Sequence, residues 1–373
     1  MAPEKSMQRR GKIVLLGWGV VFAFLLTGAG ILVGSLSYLF TEIRSHESET
    51  IFITTEDGWT LALHHYQPLG STKRQHPVLI CHGITSNRHT WEVTDRISFP
   101  RYLAARGFDT WVLELRGSGV SEKPTWFGSR RANYTFDDYA LYDLPAAINE
   151  VAQRTQSSQL HWVGHSMGSM LLYAYLERIG DDRIRSATAL GAPAFVSDAN
   201  VVLNRAVSLF PFGEFLLDEF PAGLLSKMGG WLAYPDLVPY MHLFWNYDNI
   251  SESTARLAAT HAVDNLPATV VEQFVRAAKQ GYLSSADGTI NYTKGLENIT
   301  VPFLFVAGAL DQLAPPGAVI DAYQRVNSPK KKISILSQAN GYKHDYGHVD
   351  LTLGEAAPDE VFPLVWDWLV DND

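Results

Sequence analysis

The chain begins with a long apolar segment and continues with short apolar runs separated by helix-like patterns. Residues 13–40 contain no Asp, Glu, Lys, Arg or His over 28 consecutive positions. A helix of this length would reach roughly 42 Å, which exceeds the roughly 30 Å thickness of the hydrocarbon core of a bilayer. We therefore predict an uncleaved transmembrane anchor here. The alternatives are a cleaved signal peptide, which would give a secreted protein, and a buried core helix.

The charges on either side of the apolar segment predict its orientation. Four basic residues precede it, whereas mostly acidic residues follow it. By the positive-inside rule, the N-terminus is expected in the cytoplasm and the rest of the chain on the extracytoplasmic side of the membrane. Residues 1–46 carry five Lys or Arg and two Asp or Glu, so they contribute +3 and the remaining chain −12 to the net charge of −9. This acidic remainder argues against nucleic acid as a partner.

Strand-like and helix-like patterns alternate after the apolar segment. Strand-like runs occur near residues 51–54, 61–66, 77–81, 109–115, 159–163, 184–190, 301–306 and 332–336. Helix-like spacing of apolar residues occurs near residues 96–106, 136–153, 167–178 and 359–369. The first two runs predict an opening hairpin, because a Glu-Asp-Gly turn separates them. The alternation of the remaining strand-like and helix-like runs predicts an α/β fold, with a mostly parallel twisted sheet and helices on both of its faces.

Residues 195–300 interrupt this alternation with prolines, short helix-like pieces and many aromatic side chains. We interpret them as a helical cap inserted between two core strands, where it could shape an apolar substrate tunnel. The predicted organisation is a cytoplasmic tip and anchor over residues 1–46 and a first core part over 47–194. The cap over 195–300 and a second core part over 301–373 complete it.

The motif Gly164-His165-Ser166-Met167-Gly168 lies between a strand-like run and a helix-like one. A G-x-S-x-G motif in that context predicts a sharp strand-to-helix turn with Ser166 as an exposed nucleophile. Glycine at positions 164 and 168 allows the backbone to fold this tightly. The N–H of Met167 would then face a developing oxyanion at the helix N-terminus. His165 is expected to pack beside the nucleophile without transferring protons.

A serine nucleophile needs a histidine base and an acid that orients the base. Asp311 follows the buried strand-like run 303–308, so we expect it at the sheet edge where catalytic groups of α/β proteins lie. Its alternative role is to cap the helix that follows. The base is His348 or His344, which share one loop. We favour His348 because it follows the flexible Gly347 and stands closer to the next helix.

The oxyanion hole needs a second backbone donor from the loop after the strand-like run 77–81. That loop begins His82-Gly83-Ile84, and the N–H of Ile84 is the expected donor. Gly83 allows the close approach that the loop requires. The single cysteine, Cys81, excludes an internal disulfide and a cysteine-based metal site, and no step of the expected chemistry requires a metal or a cofactor.

These residues together resemble the α/β-hydrolase superfamily and, within it, the acid lipase family of gastric and lysosomal lipases. The likeness extends over residues 50–373. The segments that carry it are Thr55-Glu56-Asp57-Gly58-Trp59-Thr60-Leu61, His82-Gly83-Ile84-Thr85, Arg116-Gly117-Ser118-Gly119-Val120-Ser121, Phe136-Asp137-Asp138-Tyr139, Asp311-Gln312-Leu313-Ala314 and His348-Val349-Asp350-Leu351.

The resemblance implies a Ser166–Asp311–His348 hydrolase of carboxylic esters with a helical cap over the acyl site. The substrate would be a small-molecule acyl ester or a lipid. The resemblance also favours His348 over His344 as the base. Two features depart from the family pattern: Met167 stands where those lipases have glutamine, and the N-terminal anchor is additional.

Other functions remain open from the sequence. The same fold hosts thioesterases, acyltransferases and aminopeptidases. An aminopeptidase would need an acidic pocket for a free amine, which Glu214, Asp218 and Glu219 could supply. A non-catalytic, membrane-tethered binding protein is the remaining alternative. The sequence predicts no oligomeric state.

Overall fold

The computed structural model describes Gly30 and residues 40–70, 73–125, 130–180, 182–194, 218–233 and 241–373. The predicted anchor, residues 13–40, lies outside these ranges except for its Gly30 and its last residue, Phe40. Within the ranges just given, no helix is both long enough and apolar enough to cross a membrane.

Eight of the described strands form one sheet in the order β1-β2-β4-β3-β5-β6-β9-β10, and β7 and β8 form a short separate ribbon. The bounds are β1 Glu49–Thr54, β2 Thr60–Tyr66, β3 Val78–Cys81, β4 Thr110–Glu114, β5 Leu160–His165, β6 Ile184–Leu190, β7 Glu219–Phe220, β8 Leu266–Pro267, β9 Phe303–Gly308 and β10 Lys331–Leu336.

The sheet is antiparallel at one edge and parallel elsewhere. Strand β2 pairs antiparallel with β1 and β4, which confirms the opening hairpin. From β4 onward every neighbouring pair is parallel, and β3, β5 and β9 are buried along their whole length. Because parallel strands share one direction, their C-terminal ends meet along one edge of the sheet, and this edge carries the candidate site.

Helices connect the strands and cover both faces of the sheet. Their bounds are α1 Phe99–Ala104, α2 Phe136–Asp138, α3 Leu144–Thr155, α4 Met167–Ile179, α5 Ala222–Gly229, α6 Glu252–His261, α7 Ala268–Gln280, α8 Tyr292–Gly295, α9 Pro316–Arg325, α10 Asp350–Leu353 and α11 Ala357–Val370. Helices α5 to α8 fall within the predicted cap, and the cap boundaries, 195 and 300, stay a prediction. The predicted α/β class, a mostly parallel sheet with helices, is confirmed.

The helix predicted over residues 136–153 is interrupted in the structure. A π-helical turn, Tyr139–Asp143, separates α2 from α3, and the N–H of Leu144 donates to the carbonyl of Tyr139 five residues earlier. The physical cause is Pro145, which has no N–H and therefore cannot continue the α-helical hydrogen-bond pattern through this turn. The periodicity of apolar residues alone does not reveal such a change.

A buried cation joins the opening hairpin to the parallel part of the sheet. The guanidinium of Arg116, which is 1% exposed, lies 2.6 Å from the carboxylate of Asp143 and 2.5 Å from that of Asp57. Asp143 is itself fully buried. The backbone N–H of Arg116 also donates to Asp143, at 2.9 Å. Asp57 lies in the turn of the hairpin, so one side chain ties that turn to the end of β4 and to the π-helical turn.

We expect Arg116→Met to lower the free energy of unfolding by about 3–5 kcal/mol, because it removes the only guanidinium paired with the buried carboxylate of Asp143 and leaves the backbone N–H of residue 116 as its remaining donor among the described residues. Arg154→Met is the matched control, since Arg154 pairs with Glu150 on an exposed helix face and should cost less than about 1 kcal/mol. Urea unfolding followed by tryptophan fluorescence measures both changes. Equal losses of unfolding free energy in the two variants would show that Arg116 stabilises the fold no more than an exposed ion pair does.

Candidate active site

Ser166 occupies a strained turn between β5 and α4. Its backbone has φ +52° and ψ −123°, a conformation that non-glycine residues rarely adopt. A Cβ atom on Gly164 would lie 2.5 Å from the backbone nitrogen of Ser169, and one on Gly168 would lie 2.5 Å from the carbonyl oxygen of His82. Both partners are backbone atoms, so only glycine fits at these two positions. The predicted strand-to-helix turn is therefore present.

Asp311 and His348 are in direct contact at the same sheet edge. The Nδ1 atom of His348 lies 2.7 Å from Oδ2 of Asp311, and both side chains are buried. Oδ1 of Asp311 accepts the N–H groups of Leu313 and Ala314, at 2.9 and 2.7 Å, which fixes the orientation of the carboxylate. In the tautomer that donates its Nδ1 proton to Asp311, Nε2 of His348 is the atom left to accept a proton, as a general base requires.

His348, and not His344, is the histidine that the structure pairs with Asp311. His348 also lines the cavity that contains Ser166. The alternative role of Asp311, capping the next helix, is not what the structure shows. That helix, α9, has Pro315 at its N-cap position, and the carboxylate of Asp311 bonds to the turn before it.

Two further histidines hold the backbone around the site. Nε2 of His165 lies 3.0 Å from the carbonyl of His348, and their rings are 4.6 Å apart. Burial keeps the pKa of His165 well below its usual value, so this ring is neutral and donates to that carbonyl. Nδ1 of His82 lies 2.9 Å from the carbonyl of Gly83, and its Nε2 accepts the N–H of Leu115 at 3.2 Å. Burial likewise lowers the pKa of His82.

The two expected oxyanion donors lie on the two segments that flank Ser166. Met167 is the first residue of α4, so its N–H has no acceptor inside the helix. Gly83 and Ile84 line the cavity together with Ser166. A Cβ on Gly83 would lie 3.1 Å from the Cβ of Ser166, which shows how closely this loop approaches Ser166.

A largely apolar cavity of about 460 Å³ opens above Ser166 and His348. Half of its described lining residues belong to the core, and the other half belong to the predicted cap. The apolar side chains that the cap contributes include Phe220, Met241, Phe244, Trp245, Leu266 and Phe274.

Gly191 is a functional position that the sequence analysis missed. It follows β6 directly, has φ +57°, and donates its N–H to the carbonyl of Val306 at 2.8 Å. A Cβ here would lie 3.1 Å from Nδ1 of His348 and 3.2 Å from Oδ2 of Asp311. The signal that could have revealed it is a glycine placed directly after a buried strand, at the same sheet edge as Ser166.

Two of the three acidic residues considered for an amine-binding pocket have other partners. Glu214 lies outside the described residues. Nε of Arg131 donates to the carboxylate of Asp218 at 2.8 Å on the surface. Nδ2 of Asn265 donates to that of Glu219 at 3.1 Å. Neither Asp218 nor Glu219 is among the described residues that line the cavity.

One group of potential metal ligands occurs among the described residues, far from the candidate site. It consists of His76, His161 and Asp373, near the N-terminal end of β5 and therefore at the opposite end of that strand from Ser166. Asp373 accepts the backbone N–H groups of Gln75 and His76 and lies 3.2 and 3.4 Å from the two histidine rings. These hydrogen bonds account for the cluster without a metal ion.

Comparison with known proteins agrees with this geometry. A fold with a strained serine between β5 and α4, and a histidine–aspartate pair at the same sheet edge, defines the α/β-hydrolase class of proteins. Residues 76–340 match the family described as having the alpha/beta hydrolase fold, which is more than half of the chain. The chain belongs to this family.

Individual relatives are lipases. Triacylglycerol lipase 2 of Arabidopsis thaliana is 26% identical over 91% of this chain and 87% of its own length. Lipase member M of Homo sapiens is 22% identical over 86% of this chain and 83% of its own length. A soluble variant of monoglyceride lipase from Saccharomyces cerevisiae shares the fold, with a TM-score of 0.60, 14% identity and coverage of 89% of this chain and 98% of that one. The expected enzyme class, carboxylic ester hydrolase, is confirmed at this level.

Gly191→Ala should lower kcat by roughly 10- to 100-fold, because the added methyl group displaces the His348–Asp311 pair. Gly180→Ala is the matched control, since Gly180 has φ +61° at the end of α4 and its Cβ would meet only the carbonyl of Leu176, at 3.8 Å. Both substitutions should cost about 1–3 kcal/mol of backbone strain. A kcat for Gly191→Ala equal to that of the control would show that position 191 does not shape the site.

Asp350 holds the loop that carries His348. Its Oδ2 atom accepts the N–H of Gly347 at 2.8 Å and that of Asn246, in the cap, at 2.9 Å. Burial, together with the negative charge of Asp311, raises the pKa of Asp350 to about 7, although the two N–H donors oppose that rise. The folded protein therefore keeps a proton on Asp350 at pH values where the unfolded chain has lost it.

The raised pKa of Asp350 makes the stability of the folded protein depend on pH. Between the usual Asp pKa near 4 and the folded value of about 7, the contribution of Asp350 to stability is lost as the pH rises. Asp350→Asn keeps an oxygen acceptor for both N–H groups but cannot ionise. We therefore expect its melting temperature, relative to the unaltered protein, to be higher at pH 8 than at pH 5. Parallel melting curves at the two pH values would contradict this.

Proposed function

We propose that this protein is a membrane-anchored serine hydrolase that cleaves carboxylic esters through an acyl-enzyme intermediate. The observation that carries the proposal is the 2.7 Å contact between His348 and Asp311 at the sheet edge where Ser166 occupies a strained turn. A histidine oriented by a carboxylate and lining the same cavity as a serine is the arrangement that can activate the serine hydroxyl as a nucleophile.

In the first half of the reaction, Oγ of Ser166 forms a bond to the acyl carbon and its proton passes to Nε2 of His348. The carbonyl electron pair moves onto oxygen, where the N–H groups of Ile84 and Met167 stabilise the negative charge. Collapse of this intermediate re-forms the carbonyl and breaks the bond to the alcohol oxygen. The departing alcohol takes the proton from His348, and the acyl group stays on Ser166.

In the second half, water replaces the alcohol. His348 takes a proton from water as its oxygen attacks the acyl carbon, and the same two N–H groups hold the second oxyanion. When the bond to Ser166 breaks, His348 returns the proton to Oγ and the carboxylic acid leaves. Asp311 keeps its charge throughout and stabilises the protonated imidazole. Every step uses groups of the chain and water alone.

The cavity favours an acyl chain as the group next to Ser166. Its wall carries Phe220, Phe244 and Leu266, and a hydrocarbon chain gains about 0.8 kcal/mol for each buried methylene. The cavity has no acidic side chain among its described wall residues that could bind a free amine. This favours a lipid or another apolar ester over an amino-acyl amide.

We further propose that residues 13–40 anchor the enzyme in a membrane, with the N-terminus in the cytoplasm and the catalytic domain on the other side. The support is the run of 28 uncharged residues and the basic residues before it. Protease protection in sealed vesicles tests this orientation. Added protease should digest the catalytic domain only in vesicles whose outer surface is the extracytoplasmic side of the membrane.

Ser166→Ala should lower kcat/KM for p-nitrophenyl esters by roughly a thousandfold or more, because it removes the nucleophile. With the unaltered protein, kcat/KM should rise by up to about fourfold per methylene from acetate to octanoate until the cavity is filled. Ser169→Ala, the same change three residues later in α4, is the matched control and should stay active.

Two outcomes separate this function from its alternatives. Faster turnover of acyl thioesters or amino-acyl amides than of the matched esters would assign a thioesterase or an aminopeptidase to the same residues. If the folded protein hydrolysed no substrate of the panel, the proposal that it is a hydrolase would be contradicted.

A further inference from the structure

The loop expected to supply the oxyanion donor Ile84 contains a second strained residue. Thr85 follows Ile84 directly and has φ +54°, in the left-handed region that a β-branched side chain disfavours. Such a conformation persists only where neighbouring groups hold it. The residues around Thr85 therefore determine whether the N–H of Ile84 keeps its direction.

A residue of the cap holds Thr85. Asp264 lies between α6 and β8, and its backbone N–H donates to the carbonyl of Thr85 at 2.8 Å. The residues on either side extend this contact, because Ser86 and Val263 form an isolated antiparallel bridge. The cap thus pairs with the oxyanion loop directly after its predicted donor.

The carboxylate of Asp264 connects the cap to two loops of the core. Oδ2 accepts the side-chain amide of the buried Asn87 and the N–H of Gly119, both at 2.8 Å. Oδ1 accepts the ammonium group of Lys123 at 2.6 Å. Asn87 belongs to the oxyanion loop, whereas Gly119 and Lys123 belong to the loop after β4. One carboxylate therefore ties together three segments that are remote in sequence.

From these contacts we infer that Asp264 is a positioning residue for the oxyanion hole. It touches no reacting atom. Its carboxylate, through Asn87 and the loop after β4, holds the backbone of residue 264 in place. The N–H of that residue in turn keeps Thr85 in its strained conformation and so directs the N–H of Ile84 towards the oxyanion. The inference rests on the proposed function. It makes the cap part of the machinery that stabilises the transition state, in addition to being a wall of the substrate cavity.

The test compares transition-state stabilisation with substrate binding. Asp264→Ala in the full-length protein should lower kcat for a p-nitrophenyl ester by roughly 10- to 100-fold, somewhat less than the loss of a complete oxyanion donor, while KM changes little. A trifluoromethyl ketone forms a tetrahedral adduct with the serine. Its affinity should fall by about the same factor as kcat/KM. If Asp264 had only a structural role in the cap, its loss would alter KM or thermal stability. The affinity for the ketone would then not fall by the same factor as kcat/KM.

Three other variants make the result specific. Asp218→Ala removes a cap carboxylate that pairs with Arg131 on the surface and should leave kcat and inhibitor affinity unchanged. Asp264→Asn keeps one oxygen acceptor but loses the charge that pairs with Lys123, so its kcat should be intermediate. Thr85→Gly removes the backbone strain, so adding it to Asp264→Ala should restore part of the lost kcat.

Asp264→Asn provides the same comparison if the alanine variant does not fold. A folded Asp264 variant with unaltered kcat and unaltered affinity for the ketone would overturn the inference. A loss that appears only in KM would overturn it as well, because Asp264 would then act on substrate binding. An unaltered protein that neither cleaves esters nor binds the ketone would instead contradict the proposed function, on which the inference depends.

Discussion

The site depends on how closely the start of α4 approaches the end of β3. Gly168 packs against the carbonyl groups of Cys81 and His82, which a Cβ would approach to 2.6 and 2.5 Å. This contact sets the N-terminus of α4 next to the loop that contains Gly83 and Ile84. The strained backbone of Ser166 follows from the same tight packing, because the chain must reverse from β5 into α4 within a single residue.

The position of the histidine–aspartate pair follows from the same parallel sheet. Strand β6 lies between β5 and β9 in the sheet, and the N–H of Ser166 donates to the carbonyl of Leu190 at 2.8 Å. Gly191, the next residue, leaves room for the His348–Asp311 pair. Ser166, Asp311 and His348 therefore come from different parts of the chain but share one sheet edge, where the strand ends are held by backbone hydrogen bonds.

The parts of this arrangement that depend on local patterns could be predicted from the sequence. The hairpin, the parallel strands and the glycines beside Ser166 each leave a signal within a few residues. Positions that depend on contacts between distant segments leave no such signal in the neighbouring sequence, and they were therefore not predicted. The amide of Asn87 and the carboxylate of Asp264 are 177 residues apart in the chain, and the space around Gly191 is set by side chains from two other loops. The π-helical turn before Pro145 was missed because apolar spacing does not record hydrogen-bond partners.

The cap contributes to the site in two physically different ways. Its apolar side chains form close to half of the cavity lining, which governs the substrates that can be bound. Its polar contacts, through Asp264 and through the N–H of Asn246 on Asp350, reach the loops that carry Ile84 and His348. A change in the cap is therefore expected to affect the rate of the chemical step as well as the choice of substrate.

Covalent labelling decides whether Ser166 is a nucleophile activated by its surroundings. A fluorophosphonate probe should modify the folded protein at one site, and mass spectrometry of the digested protein should place the label on Ser166. Heat-denatured protein should take up no label, because activation needs His348 and the oxyanion donors in place. Labelling of another residue, or no labelling of the folded protein, would show that Ser166 is not an activated nucleophile.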